Sequence, residues 1–540
     1  MLSYAAAMFQ FKISSCVAVL SVFCVSTARS VASAPMGTPT ITWANPAAVP
    51  AGSALSSAQL NATANVEGTF TYTPAIGTLL RDAGVRKLSA VFTPKDTSQF
   101  KTASATVSLV VGRTFYVSPT GSDGASGQTP ATAFATLQKA ADSTAPGDFV
   151  YVMNGTYANA HNHYVLLGIA KPGTPNAWIT YQAFEGAKPV LVGNDATWDV
   201  VRFLNTAAYV SLSGMTVIGN DIAVTLAQAQ ANKDTPASHP ETNGNCISVN
   251  GSTHTGEIYP HHIRILNNIA GNCPGGGIST TYADYVTIAR NKVYGNSFYS
   301  AYGTSGISTL ANFDSDPADT ATKYKMVIEG NVLCANEELV PWAGAHPPQI
   351  TDGEAIIIDS TNNAAYAGSG LKNPPYTGRT LVANNVIFNN GSAAIEVFQS
   401  SHVDVVNNST YLDVTNPPVS GRGEMNLNVA SDVRVVNNIF YSSPAQNPVT
   451  MNTACAKACV FDYNVYWGGK TVFLGTAAGA HDLVADPLYV APGIMPEAVN
   501  FRLRAGSPAV GSGTAVLVPA EDIEGKLRPK AGVDRGAYQR

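Results

Sequence analysis

TLVANNVIFNNGSAAIEVFQSSHVDVVNN, residues 380–408, sets two kinds of short apolar strand one after another. GSAAIEVF follows a turn of small residues and then alternates, whereas TLVANN and VDVVNN end in asparagine. Both kinds recur outward along the chain. The first returns as NGNCISVN, PGGGISTT, GTSGISTL and DGEAIIID, and the aligned Ile247, Ile278, Ile307, Ile356 and Ile395 are 31, 29, 49 and 39 residues apart. The second returns as VSLSGMTVIGN, HIRILNN, YVTIARN, KMVIEGN, VRVVNN and VFDYN. Its final Asn220, Asn268, Asn291, Asn331, Asn385, Asn408, Asn438 and Asn464 are 23 to 54 residues apart, and the longer gaps hold polar insertions. A unit of this length cannot bury its apolar face alone, so the units must stack. Parallel crossovers are right-handed, so the pattern predicts an all-β chain wound as a right-handed parallel β-helix. Asparagine suits a recurrent corner because it tolerates left-handed backbone and its amide bonds up and down a column.

Composition agrees with a turn-rich β chain. Of 540 residues only 12% are charged, and no long stretch carries helical periodicity. The net charge of -5 and the lack of a basic run point away from a nucleic-acid partner. Residues 1–34 read as an export signal: Lys12 precedes an apolar run from Ile13 to Val25, and Ala32-Ser33-Ala34 offers small residues for cleavage. The expected location is therefore outside the cell or on its surface. Five cysteines follow the signal, Cys246, Cys273, Cys334, Cys455 and Cys459, so at least one lacks an intrachain partner, and Cys455 and Cys459 are close enough in sequence for a local disulfide.

Residues 35–112 form a separate block of short alternating segments broken by Gly, Pro and Asn, the pattern of a small β-sandwich. Through ITWANPAAVPAGSALSSAQLNATANVEGTFTYTP it resembles bacterial immunoglobulin-like repeats. Residues 113–160 contain TFYVSPTGSDGASGQTPATAFATLQKAADSTAPGDFVYVMNGTY, with one amphipathic helix around 133–141, and read as an N-terminal cap. This segment resembles the opening of secreted parallel β-helix proteins, among them a family of pectate lyases. The helix proper is expected over 161–500 and a closing segment over 501–540. The resemblance implies a polysaccharide partner and slightly favours a lyase. That family's paired-aspartate calcium signature and Gly-Phe-Lys lysine are both missing, as the sequence has no Asp-Asp pair.

Alternation sorts the first strand kind into faces. With the isoleucines inward, the outward column reads Ser248, Ser279, Ser308, Ile357, Glu396 and then Asn250, Thr281, Leu310, Asp359, Phe398. Asp359 and Glu396 fall roughly 8 Å apart by strand spacing, and Glu354 and Glu424, read as one column, about 10 Å apart. Such separations suit an acid and a base flanking a glycosidic bond. The candidate catalytic residues are therefore Asp359, Glu396, Glu354 and Glu424, with His402 as a proton-transfer group one turn after Glu396. Asp352 also reads as a strand-end group, and Glu337 and Glu338 lie in an insertion. Arg379, Arg422, Lys372 and Phe398 are candidate substrate-binding residues, and Asp314 and Asp316 are candidate ligands for Ca²⁺. The expected substrate is an extended, acidic polysaccharide, and three functions stay open: a polysaccharide lyase, a glycoside hydrolase with paired carboxylates, and a non-catalytic glycan-binding surface protein.

Overall fold

The computed structural model describes residues 36–159, 164–251, 258–316, 322–362, 375–451, 455, 458–469, 473–474 and 479–540. The export-signal reading of residues 1–34 lies outside these. Three parallel sheets wind around one core, with ten strands in the first and eleven in each of the others. The first sheet runs from Val165–Ile169 to Phe473–Leu474, the second from Thr114–Val117 to Cys459–Asp462, and the third from Gly155–Ala158 to Leu483–Val484. Each coil gives one strand to each sheet, which makes a parallel β-helix of right-handed crossovers. The column of Ile247, Ile278, Ile307, Ile356 and Ile395 is paired strand to strand and wholly buried.

An asparagine column holds the corner between the second and third sheets. The Oδ1 of Asn385 accepts from the backbone N–H and the Nδ2 of Asn331, at 2.9 and 3.0 Å. The Nδ2 of Asn385 in turn donates to the carbonyl of Ile328 in the coil below and to Oδ1 of Asn408 above. The same pattern runs from Asn268 through Asn291, Asn331, Asn385, Asn408 and Asn438 to Asn464, and Asp482 closes it by accepting from Asn464. The left-handed conformation falls on the residue before each column member, at Asn267, Arg290, Gly330, Asn384, Asn407, Asn437 and Tyr463. Asn220 does not belong here: the N–H of Met215 fills that place and donates to Asn268 Oδ1 at 2.9 Å. The pairing of Ile218 with Gly271 puts Asn220 at the next corner, between the third and first sheets. A second column stands there, Asn296, Asn336, Asn390 and Asp413, linked by the same amide bonds.

Both ends of the solenoid are covered. Thr136 caps the helix Leu137–Ser143, its Oγ1 accepting from the N–H of Lys139, and this sets the start later than the apolar pattern suggests. Leu137, Ala140 and Ala141 bury against the first coil. The segment 113–160 is more than a cap, because it also supplies the opening strands of the second and third sheets. At the far end Tyr489–Ala491 pairs antiparallel with Asn500–Leu503. The tail then runs back along the helix, held by the outward Asn384, Asn407 and Asn437, which donate to carbonyls of Glu521, Asp534 and Thr514. Each Asn-Asn pair thus serves two partners, the column and the tail.

The N-terminal block forms a four-stranded sheet, with Gly68–Thr73, Gly84–Pro94 and Ala103–Gly112 antiparallel and Val49–Pro50 parallel at its edge. Leu55, Leu80, Leu88 and Leu109 give it a core of its own. Gly112 touches the first coil so closely that a Cβ would lie 1.7 Å from the carbonyl oxygen of Gly147. Disulfides join Cys246 to Cys273 and Cys455 to Cys459, and Cys334 is a buried free thiol.

The columns lead to a contrast between two asparagines. Asn385→Ala strands the buried N–H and amide of Asn331 and should lower stability by about 3 kcal/mol. Asn220→Ala loses only a bond to Asp195 and should cost less than about 0.5 kcal/mol. Urea midpoints of the two variants test this, and equal shifts would remove the column from its structural role.

Candidate active site

The first sheet's outer face is flanked by a wall built at a single corner. Insertions 219–244, 295–306, 335–355 and 412–424 all lie between a third-sheet strand and the next first-sheet strand. The first three pack on one another through Ala229, Ala301 and Val340, with a bond of 2.9 Å from the N–H of Ala343 to the carbonyl of Ala301, and Asn416 of the fourth donates to the carbonyl of Glu338 at 2.6 Å. Below them Ser248, Ser279, Ser308, Ile357 and Glu396 are paired across the sheet, as are Asn250, Thr281, Leu310, Asp359 and Phe398.

Acids converge where this wall meets the sheet. Arg422, from the last insertion, reaches back over two coils. Its Nη1 contacts Glu354 and donates to Glu396 Oε2 at 2.7 Å and to Ser392 Oγ at 2.9 Å. Glu354 also accepts from Ser305 Oγ at 2.7 Å and Ser392 Oγ at 2.9 Å. Glu338 accepts from the N–H groups of Thr351 and Asp352, both at 2.7 Å. Asp352 accepts from Thr351 Oγ1, and Asp359 from Ser360 Oγ at 2.7 Å. Glu338, Glu354 and Glu396 are fully buried, whereas Asp352 and Asp359 keep access to solvent.

Burial and crowding set the protonation of this group. Burial first, and then the charge of Glu354, push the Asp352 carboxyl up to about 8. Burial and the nearby Asp352 raise Glu338 to about 9. Glu396 is lifted well above the carboxylate range by burial, against the pull of Arg422. Asp359 rises to about 6, mainly through burial. At neutral pH the accessible pair therefore consists of a protonated Asp352 and a largely ionised Asp359. The two accessible aspartates thus offer one proton donor and one proton acceptor.

The other expected residues are dispersed. Glu424 is not in the column of Glu354: Ile356, Ile395 and Met425 are aligned, so Glu354 stands two residues before its strand position and Glu424 one before. That single step turns Glu424 to the opposite side. It is fully buried, accepts from the N–H of Asp413, and crowding with Asp413 adds to the burial that raises it far above its usual range. His402 and Arg379 belong to the second sheet, away from Glu396. His402 Nδ1 lies 2.6 Å from Asp432, and Arg379 Nη1 donates to Asp404 at 2.9 Å. Asp314, expected to bind Ca²⁺, takes the ammonium of Lys325 at 2.9 Å and the N–H of Thr377 at 2.8 Å, and the carbonyl of Asp316 accepts from the same lysine. Among the described residues no three His, Cys, Asp or Glu side chains gather as a metal site. Lys372 lies outside the described residues. Phe398 flanks Asp359 in the outward column.

No family model matches the sequence, and no curated protein matches it. Among solved structures the chain is similar to the pectate lyase Pel9A, with 15% identity and a TM-score of 0.44 over 79% of this chain and 96% of that one. It is also similar to XylC in complex with xylose, at 11% identity and a TM-score of 0.40 over 79% of this chain and 98% of that one. A lacto-N-biosidase from Eubacterium ramulus follows at 14% identity and a TM-score of 0.35, over 70% of this chain and 67% of that one.

Arg422 is the counter-ion on which the buried acids depend. Arg422→Gln leaves Glu354 and Glu396 buried without their cation and should cost about 3–5 kcal/mol once both are ionised. Burial already holds the folded Glu396 carboxyl above its unfolded value, near 4.3, and losing the cation raises it further, so the variant's extra penalty is absent at low pH and grows as pH rises through the wild-type folded value. Denaturant midpoints at pH 4 and pH 7.5 check this, and a loss that shrinks with rising pH would contradict it.

Proposed function

We propose that this protein is a carbohydrate-active enzyme that hydrolyses glycosidic bonds in an extended polysaccharide lying along the first sheet, with Asp352 as the general acid. The observation that carries this reading is the placing of Asp352, half-buried where the wall of insertions meets the first sheet, where burial and the charge of Glu354 push its carboxyl up to about 8. A carboxyl in that state can give its proton to the glycosidic oxygen as the bond to the anomeric carbon breaks. Asp359, ionised above about 6, is the candidate base that takes a proton from the attacking water. Glu354 and Glu396 are too buried to touch the sugar in this scheme, and Arg422 is held by both, so the three act as positioning residues. The export-signal pattern of residues 1–34 fits a polymeric substrate met outside the cell.

Sequence reading leaned slightly toward a lyase, and the groove supports hydrolysis better. β-Elimination needs a base for the sugar's acidic proton and a partner for its carboxylate. Arg422, the cation that reaches the acids, is held by Glu354 and Glu396, and Lys325 and His402 are engaged on the second sheet.

Activity should be bell-shaped in pH, rising through about 6 as Asp359 ionises and falling through about 8 as Asp352 loses its proton. Asp352→Asn should lower kcat roughly 10²–10⁴-fold. New reducing ends without new ultraviolet absorbance identify hydrolysis. Absorbance from an unsaturated product would establish a lyase instead, and glycan binding with no turnover on any polymer would leave a binding protein.

A further inference from the structure

Exposed aromatic rings follow the groove toward Asp352. Tyr164 and Trp198 open the first two strands of the first sheet, and their rings stack at 5.7 Å and 30°. Trp198 next meets Tyr302, at 6.2 Å between centroids. Tyr302 belongs to a later coil, but its loop hooks back: the N–H of Tyr299 donates to the carbonyl of Pro274, and the N–H of Ala301 to Asn243 Oδ1. Gly303 then joins the rings to the acid. A Cβ there would stand 2.6 Å from Asp352 Oδ2 and 3.3 Å from Cγ of Trp342, so only glycine, at φ +63, lets the carboxyl and the indole approach this closely. Tyr164, Tyr302 and Trp342 are 57, 43 and 38% exposed. Water-facing rings in a row are costly to maintain unless a partner covers them.

We infer that Tyr164, Trp198, Tyr302 and Trp342 form a stacking platform for a neutral glycan chain, which runs parallel to the solenoid axis and presents a glycosidic bond to Asp352. The inference rests on the groove being a glycan site. Pyranose rings carry flat C–H faces that pack on aromatic rings and hydroxyls around their rims, and the half-buried Ser279 and Ser308 offer small polar neighbours for those hydroxyls. From the strand after Tyr164 to the strand after Asp352 the first sheet climbs five strand spacings, about 24 Å, the reach of a short oligosaccharide. A cleft of ≈ 760 Å³ beside Tyr164 extends the path at its far end. Charge selects a neutral chain. Among the described residues Arg202 sits 3.5 Å from Asp199 and Arg422 is held by two glutamates, so the carboxylates of a polyuronate would meet Asp359 with neither of these cations free to compensate them.

The full chain carrying Asp352→Asn should be titrated, by tryptophan fluorescence, with xylohexaose, cellohexaose and mannohexaose and with hexamers of galacturonate and mannuronate. A neutral hexasaccharide should bind. Trp198→Ala and, separately, Tyr302→Ala in the same background should each weaken it about tenfold, while the matching disaccharide changes by less than about twofold. Tyr302 lies in an exposed loop, so its variant reads out the platform even if replacing Trp198 disturbs the second coil. Unchanged hexasaccharide affinity in both variants, preference for the uronate hexamers, or no binding of any neutral hexamer overturns the platform. Ring-dependent binding of a hexasaccharide that the wild-type protein does not hydrolyse supports the platform and removes the hydrolytic reading. Hydrolysis with ring-independent binding does the reverse.

Discussion

Where the chain passes from the second sheet to the third, it turns with its peptide groups buried, and a buried N–H without a partner costs about 1–3 kcal/mol. Seven asparagines meet that demand. Each lends a side-chain oxygen to the backbone of the coil below and an amide to the coils on either side. No coil can satisfy its corner alone, so the column couples every coil to its neighbours more specifically than apolar stacking does. The left-handed residue before each asparagine makes the turn and, except at Gly330, carries a side chain outside the column. In the upper coils those outward side chains are themselves asparagines, and they hold the returning tail.

The second column has the same logic and a different consequence. Asn296, Asn336, Asn390 and Asp413 fix the corner from which the insertions depart. Because the bases of these loops are locked, chain of very different lengths can leave and return there without disturbing the sheets. The loops then bring Glu338, Asp352 and Arg422 over the outward face of the first sheet. Glu424 and Asp413, crowded together at the top of this column, belong to the scaffold and not to the groove.

The site is built against stability. Several carboxyls with one guanidinium in a region largely closed to water form an arrangement that apolar residues of the same volume would usually improve. Burial is also what gives two accessible aspartates different protonation states, because both lose solvation and feel the charge of Glu354, and Asp352 is raised further than Asp359. Gly303 belongs to the same compromise, a left-handed glycine that allows an indole and a carboxyl to share one space.

The alternation of Ile247, Ile278, Ile307, Ile356 and Ile395, and the asparagines that end the companion strands, were enough to specify a parallel β-helix and its outward column, because both follow from the two-residue period of a strand and from the needs of a buried corner. Glu396 could be picked from sequence for the same reason. Register at the strand entrances could not be read this way. Glu424 looked equivalent to Glu354, yet a one-residue offset sends the two to opposite sides. Asn220 ended a strand of the right kind and fell in the other column. His402 and Arg379 were near Glu396 in sequence and came to lie on another sheet, since a few residues suffice to turn a corner. The sequence by itself determined the periodic part of the molecule, where local pattern and global packing coincide. Only the tertiary structure decided which acids face the groove, because the insertions that carry them have no period and are placed by contacts with coils far away in the chain.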